Sequence, residues 1–308
     1  MQGSDEDDHN RGMSTSAIPR HVLALDSLAG LSAGDAFGEQ AFEPHLRAKP
    51  PACPDDRWPW TDDTQMACSV LDVLARFGEI DQNILARAFA ERAEPHRNYG
   101  YGALQFIDGV RRGGEWSVLS RRLFDGAGSW GNGGAMRIAP LGAWFHDDLE
   151  QAAAQAAAAS EVTHAHPEGV AGAVAVAVAA AHAAATRGGS LAGPELIDAA
   201  LAHVTEGYVH DGLRQARELL DRSAAEAAAE LGNGSQISAP DTVPFALWTA
   251  ATRLDDYAAA LRTCVEVGGD MDTMGAIVGG VIAAHHGTSC IPEEWLETRE
   301  PLPGWLWG

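Results

Sequence analysis

Apolar residues in this chain recur at three- and four-residue intervals almost throughout. No segment sustains the two-residue alternation that a half-buried strand requires. That pattern restricts the chain to helices packed on helices. Met66, Val70, Val73, Leu74 and Phe77, for example, fall on one face at helical spacing. The spacing predicts helices over 18–33, 64–77, 82–92, 102–112, 149–160, 167–186, 194–208, 211–230, 241–252, 255–265 and 273–286. Glycine and proline punctuation separates them, at Lys49-Pro50-Pro51, Gly126 to Gly134, Gly188-Gly189 and Gly232 to Gly234. No long linker divides the chain and no repeat returns at a fixed period. The expected architecture is one all-α domain.

At 308 residues the chain can bury a substantial core, and 46% hydrophobic residues exclude wholesale disorder. Its 21 basic and 43 acidic residues leave a formal charge of −22. Such a surface repels phosphate backbones, and basic residues cluster only in pairs such as Arg111-Arg112 and Arg121-Arg122. General nucleic-acid binding is therefore not expected. Cys53, Cys68, Cys264 and Cys290 form no CxxC pair, which argues against a disulfide scaffold or thiolate zinc site and for a reducing, cytoplasmic setting. Residues 1–15 read as a flexible acidic tail without an apolar signal core, with Met13 a candidate start. Gly169 to Ala185 is too short and too weakly apolar for a membrane span, so a buried core helix is expected there. Residues 16–290 form the expected domain. The 291–308 tail carries Trp295, Trp305 and Trp307, which should dock on it rather than stand in solvent.

Two oxygen-rich clusters carry the chemistry. Thr61-Asp62-Asp63-Thr64 directly precedes a periodic run, where a cap is expected. One carboxylate suffices for a cap, whereas two carboxylates between two hydroxyls also make a cation site. The helix dipole at that place favours ionised carboxylates. More than 200 residues later, Asp270-Met271-Asp272-Thr273 follows Gly268-Gly269 and again precedes an apolar helix. Alone it reads as a glycine turn with a cap. Four carboxylates drawn together without matching lysines would repel unless cations neutralised them. Oxygen-only donors point to magnesium, calcium or manganese rather than zinc or copper.

Gly34-Asp35-Ala36-Phe37-Gly38, Thr61-Asp62-Asp63-Thr64, Gly131-Asn132-Gly133-Gly134-Ala135-Met136-Arg137, Thr163-His164 and Gly269-Asp270-Met271-Asp272-Thr273 occur in that order. The series resembles the motifs of the ADP-ribosylglycohydrolase family, from about residue 22 to residue 286. That family includes hydrolases of ADP-ribosyl-arginine, ADP-ribosyl-serine and poly(ADP-ribose), and the dinitrogenase-reductase-activating glycohydrolase. The resemblance implies a single-domain orthogonal helical bundle with two magnesium ions, or manganese, in a central cleft. It implies metal ligation by Thr61, Asp62 and Asp63 from the first cluster and by Asp270, Asp272 and Thr273 from the second.

By the same resemblance, Gly131, Asn132, Gly133, Gly134, Ala135, Met136 and Arg137 form the loop that cradles the ADP-ribose phosphates and ribose, and His164 lies in the substrate pocket. Small residues leading into a helix suit an anion. Asp62 or Asp63 is the expected catalytic group, orienting or deprotonating the attacking water beside an ion pair that polarises substrate oxygens. The implied substrate is an ADP-ribosylated protein or another ADP-ribose conjugate. Met271 stands where the family usually has threonine. The family's glutamate after the first glycine motif is Glu39 or Glu43, Phe42 holding the strictly matched spacing. Tyr99 or Tyr101 can stack on the adenine, or serve as buried aromatics at a helix start. A non-catalytic ADP-ribose reader, a crystallin-like relative and a two-metal phosphoesterase are the competing readings.

Overall fold

The alanine-, valine- and leucine-rich periodic segments become fifteen α-helices among the described residues, with isolated bridges but no sheet. The computed structural model describes residues 18–42 and 57–307. The expectations for the 1–15 tail, Met13, Glu43 and Cys53 lie outside the described residues. The helices are α1 (Arg20–Phe42), α2 (Asp62–Phe77), α3 (Gln82–Arg92), α4 (Tyr101–Arg111), α5 (Trp116–Arg122), α6 (Ala139–Trp144), α7 (Leu149–Glu161) and α8 (Pro167–Ala185). They continue as α9 (Gly193–His203), α10 (Tyr208–Glu218), α11 (Ala224–Leu231), α12 (Ala239–Thr252), α13 (Tyr257–Val267), α14 (Met271–His286) and α15 (Glu293–Thr298). The all-α expectation holds.

The core is built around α8 and α14. Val174 to Ala181 of α8 and Met274 to Ala284 of α14 are buried without a break. The α8 helix is long and apolar enough to cross a membrane by length and composition, yet 83% of its apolar window is buried inside the protein. Alanine and glycine have no side-chain bulk, so α6, α7, α9, α12 and α14 can all pack against it.

Several boundaries differ from the periodic reading. Helix α1 continues to Phe42 instead of ending near residue 33, because Gly34 and Gly38 meet another helix rather than terminate their own. The expected helices 194–208 and 211–230 are three, α9 to α11. Ser223 and Glu226 form a reciprocal capping box that starts α11 afresh. Helices α5, α6 and α15, of 7, 6 and 6 residues, span under two turns and leave no period to read. Phe77 is exposed, whereas its expected face-mates Met66, Val70, Val73 and Leu74 are buried.

The tryptophan-rich C-terminal segment packs on the helical body. Trp295 is buried, stacks on Phe37 with centroids 4.1 Å apart, and meets Trp58 and Tyr257 edge-on. The Arg92 guanidinium lies 3.9 Å from the Trp305 ring.

Candidate active site

The site begins with the contact between α1 and α14, the most extensive helix pair in the fold. Gly30, Gly34 and Gly38 line one face of α1 at four-residue spacing. Gly30 and Gly34 meet the Gly279 and Gly275 carbonyls, and Gly38 meets the main chain of Met271 and Asp272. Backbones approach this closely only where no Cβ intervenes. The N-terminus of α14, which carries the second acidic cluster, is thereby pressed against the second half of α1.

That half of α1 also carries Asp35, fully buried, which organises the first cluster. Its carboxylate accepts from the amides of Thr61 (3.0 Å) and Thr64 (3.1 Å). It also accepts from the hydroxyls of Thr61 (2.9 Å) and Thr64 (2.6 Å). Burial raises the Asp35 pKa to about 6 against the opposing pull of these bonds. Asp35 thus satisfies the free amides at the start of α2 and leaves Asp62 and Asp63 available for the cleft. Thr61 caps α2, and its hydroxyl faces Asp35 and Asp63. It sits behind the cleft lining rather than in it, so here it orders Asp63.

Asp62, Asp63, Asp270, Asp272 and Thr273 all line one cleft of about 410 Å³. Two stretches of chain separated by more than 200 residues therefore face the same space. Burial, then the neighbouring Asp35 charge, pushes Asp62 up to about 8. Burial and the surrounding aspartates hold Asp63 and Asp272 well above the ordinary carboxylate value. Among the described residues, the Oδ1 atoms of Asp63 and Asp272 are buried without a hydrogen-bond partner. Buried acceptors without donors, repelling one another, match what a cation site needs. Among the described residues, no three His, Cys, Asp or Glu side chains meet as a finished ligand set.

The Gly131–Arg137 segment divides into distinct parts. Asn132 donates to Asp270 Oδ2 at 2.6 Å and to Thr242 Oγ1 at 3.0 Å, so it steadies the second cluster. Gly131, Asn132, Gly133, Met136 and Arg137 line the cleft. Gly134 abuts Ser160 behind it, and Ala135 is fully buried and absent from the lining. A Cβ on Gly133 would lie 2.8 Å from the His164 ring, so glycine there leaves room for the imidazole.

Arg137 is fully buried, and its Nη2 donates to Thr163 Oγ1 at 2.8 Å and to the Ala159 carbonyl. The sequence left Arg137 to pair with a phosphate or to neutralise a cluster carboxylate; its guanidinium engages protein acceptors, and burial lowers its pKa to about 10. Thr163 Oγ1 also lies 2.7 Å from His164 Nδ1. Having accepted from Arg137, the hydroxyl donates its own proton to Nδ1, which leaves His164 with Nε2–H as a donor near Gly131 and Gly133. Burial, then the Arg137 charge, lowers the His164 pKa to about 3, so the ring is neutral.

The cleft mouth contains residues that periodicity did not single out. Phe124 and Trp130 are 58% and 47% exposed there, large values for aromatic rings in a pocket. Asn98, Phe124 and Ile237, also in the lining, have backbone φ of +62°, +51° and +52°. A β-branched or bulky residue in that region is strained. Tyr99 is buried and donates to Gln65 Oε1 at 2.8 Å, which removes it as a stacking residue, whereas Tyr101 lies exposed in the lining. Glu39 Oε1 accepts from Asn98 Nδ2 at 2.8 Å, which puts this glutamate at the rim. Met271 is buried and does not line the cleft.

A model of the ADP-ribosylglycohydrolase family matches residues 18–307. The chain belongs to that family. ADP-ribosylhydrolase ARH3 of Gallus gallus is 28% identical over 276 residues, covering 78% of this chain and 74% of its own. An uncharacterized protein of Archaeoglobus fulgidus is 32% identical over 244 residues, covering 77% and 74%. A solved ADP-ribosylglycohydrolase-related protein complex has the same fold, with a TM-score of 0.67 at 22% identity over 91% of this chain and 93% of that one. The glycine contact of α1 with α14 and the shared acidic cleft are thus features of an ADP-ribosylglycohydrolase chain.

Proposed function

We propose that this glycohydrolase cleaves the glycosidic bond joining ADP-ribose to a protein side chain, in a reaction that depends on two magnesium ions and accepts manganese. The observation that carries this reading is the convergence of Asp62 and Asp63 with Asp270, Asp272 and Thr273 on one cleft, two of their buried oxygens lacking a donor among the described residues. Asp62, Asp63, Asp270, Asp272 and Thr273 would hold the ions, with Thr61 behind Asp63. Bound divalent cations would supply Lewis-acid polarisation of the substrate's ribose oxygens and neutralise the clustered carboxylates.

The chain's own groups divide the remaining tasks. Asp62 or Asp63 orients the attacking water and accepts its proton, which passes to the departing side-chain atom as the glycosidic bond breaks. The other carboxylates stabilise the positive charge that develops at the anomeric carbon. Neutral His164 presents its Nε2–H, with the amides of the Gly131–Gly133 turn, to the diphosphate. The exposed rings of Phe124 and Trp130 offer flat apolar surfaces to the adenine. Cys68, Cys264 and Cys290 are unpaired, which suits action in the cytoplasm.

The test is release of free ADP-ribose from arginine-, serine- and phosphate-linked conjugates, with magnesium and with a chelator. The reading requires magnesium-dependent release from at least one conjugate; release from none, or undiminished release in chelator, overturns it. Trp130→Ala is expected to raise KM on the order of tenfold with little change in kcat, since base stacking contributes ~1–3 kcal/mol. An unchanged KM in steady-state assays would remove the indole from substrate recognition.

A further inference from the structure

The C-terminal segment reaches the first acidic cluster through one guanidinium. The Trp58 amide donates to the Thr298 carbonyl at 3.0 Å, and the Glu300 amide donates to the Trp58 carbonyl at 2.9 Å. Trp60 Nε1 donates to the Pro301 carbonyl at 3.3 Å. Arg97, with 7% of its side chain exposed, joins this pairing to the start of α2. Its Nη1 donates to Glu300 Oε2 at 2.6 Å and to the Trp60 carbonyl at 2.9 Å. Its Nη2 donates to Glu300 Oε1 at 2.8 Å and its Nε to Glu94 Oε2 at 3.1 Å. The guanidinium carbon lies 3.4 Å from the Trp60 ring centroid. The Arg97 carbonyl, in turn, accepts from the Asp62 amide at 2.8 Å.

A single residue therefore grips the carbonyl of residue 60 with its side chain and the amide of residue 62 with its main chain. Thr61 lies between the two grips. The plane of the guanidinium is set by the two-pronged pairing with Glu300, in which both carboxylate oxygens accept. Glu94, half-exposed and bound only through Nε, cannot replace it.

We propose that Glu300 is a positioning residue for the cation site: by fixing Arg97 it sets the main chain at residues 60–62 and so aims the Asp62 and Asp63 carboxylates into the cleft. This inference rests on the cation reading given above. Without Glu300 the buried guanidinium loses both of its shortest bonds and turns toward Glu94, releasing the Trp60 carbonyl. The C-terminal segment then acts on the active site, and not only on the stability of the core.

The experiment is Mn²⁺ titration of the full chain, stripped with chelator and followed by the electron paramagnetic resonance signal of free Mn²⁺. Glu300→Ala is expected to weaken Mn²⁺ binding about tenfold, the usual effect of removing a group that orients a ligand. Glu300→Gln, which keeps one oxygen acceptor, is expected to lose less. Trp305→Ala serves as the comparison, because it removes the ring stacked on Arg92 and loosens the same segment without touching Arg97. It is expected to lower the melting temperature while binding Mn²⁺ as the wild type does. Wild-type affinity in folded Glu300→Ala overturns the proposal, as does an equal loss in Trp305→Ala. A wild-type chain that takes up no Mn²⁺ overturns it together with the cation reading.

Discussion

Asp62→Asn is expected to yield a folded chain whose hydrolysis falls on the order of a thousandfold, the scale seen when a group acting on the transition state is removed. The same substitution is expected to stabilise the metal-free chain, increasingly so as pH rises. The sign follows from linkage. Asp62 has its pKa raised from 3.8 to about 8 in the fold, so the folded state holds a proton that the unfolded state releases. Stability from this group is present below the ordinary carboxylate value and is lost as pH climbs toward about 8. Asparagine, which cannot ionise, removes that loss. Saturating magnesium is expected to reverse the order, because the cation stabilises the carboxylate and not the amide. Thermal melts between about pH 6 and about pH 9, with magnesium and with chelator, test both halves. An asparagine variant that is the less stable one in chelator at high pH would refute the electrostatic account. Full activity in the variant would remove Asp62 from the reaction.

Gly34→Ala is expected to be among the most damaging changes of a single methyl group. Its Cβ would enter the space of the Gly275 carbonyl, which is backbone and cannot rotate aside. The helices must separate, at a cost of about 3 kcal/mol. Helix α14 would move with Asp270, Asp272 and Thr273, so hydrolysis is expected to fall in the fraction that folds. In a chain of this size the melting temperature drops by roughly 5–10 °C. Gly304→Ala is the matched comparison, because nothing lies within 4 Å of its added atom. Calorimetry of the two variants decides the matter: equal melting temperatures would mean that the α1–α14 contact tolerates bulk.

Much of this arrangement was legible in residue order. Helical period announced an all-α fold, and Asp-rich helix starts announced the two halves of the cleft. What stayed hidden depends on contacts across the chain. Gly34 and Gly38 look like helix ends in a linear reading, yet they are the surface that brings α14 in. Asp35 stood in the first glycine motif as a supporting residue, but what it supports emerges only from its four donors, all from residues 61 and 64. Arg137 carries charge suited to a phosphate, but its burial against Thr163 could not be read from spacing. Trp130 sat in the Gly126 to Gly134 stretch that glycine content marked only as punctuation, and Phe124 fell just before it, outside every expected helix. The Ser223-Ala-Ala-Glu226 pattern did signal a new helix, but the alanine period running through it concealed the break.

Phe124 and Ile237 come from separate loops, and each holds a backbone conformation that costs about 1–3 kcal/mol at the cleft mouth, near Asn98, a residue type that adopts it readily. The interior of the cleft is strained in another way, by buried carboxylates that repel one another. Strain is thus present at both depths, in the backbone at the mouth and in charge within. Selection for robustness alone would relax both, with glycine at the mouth and neutral side chains within.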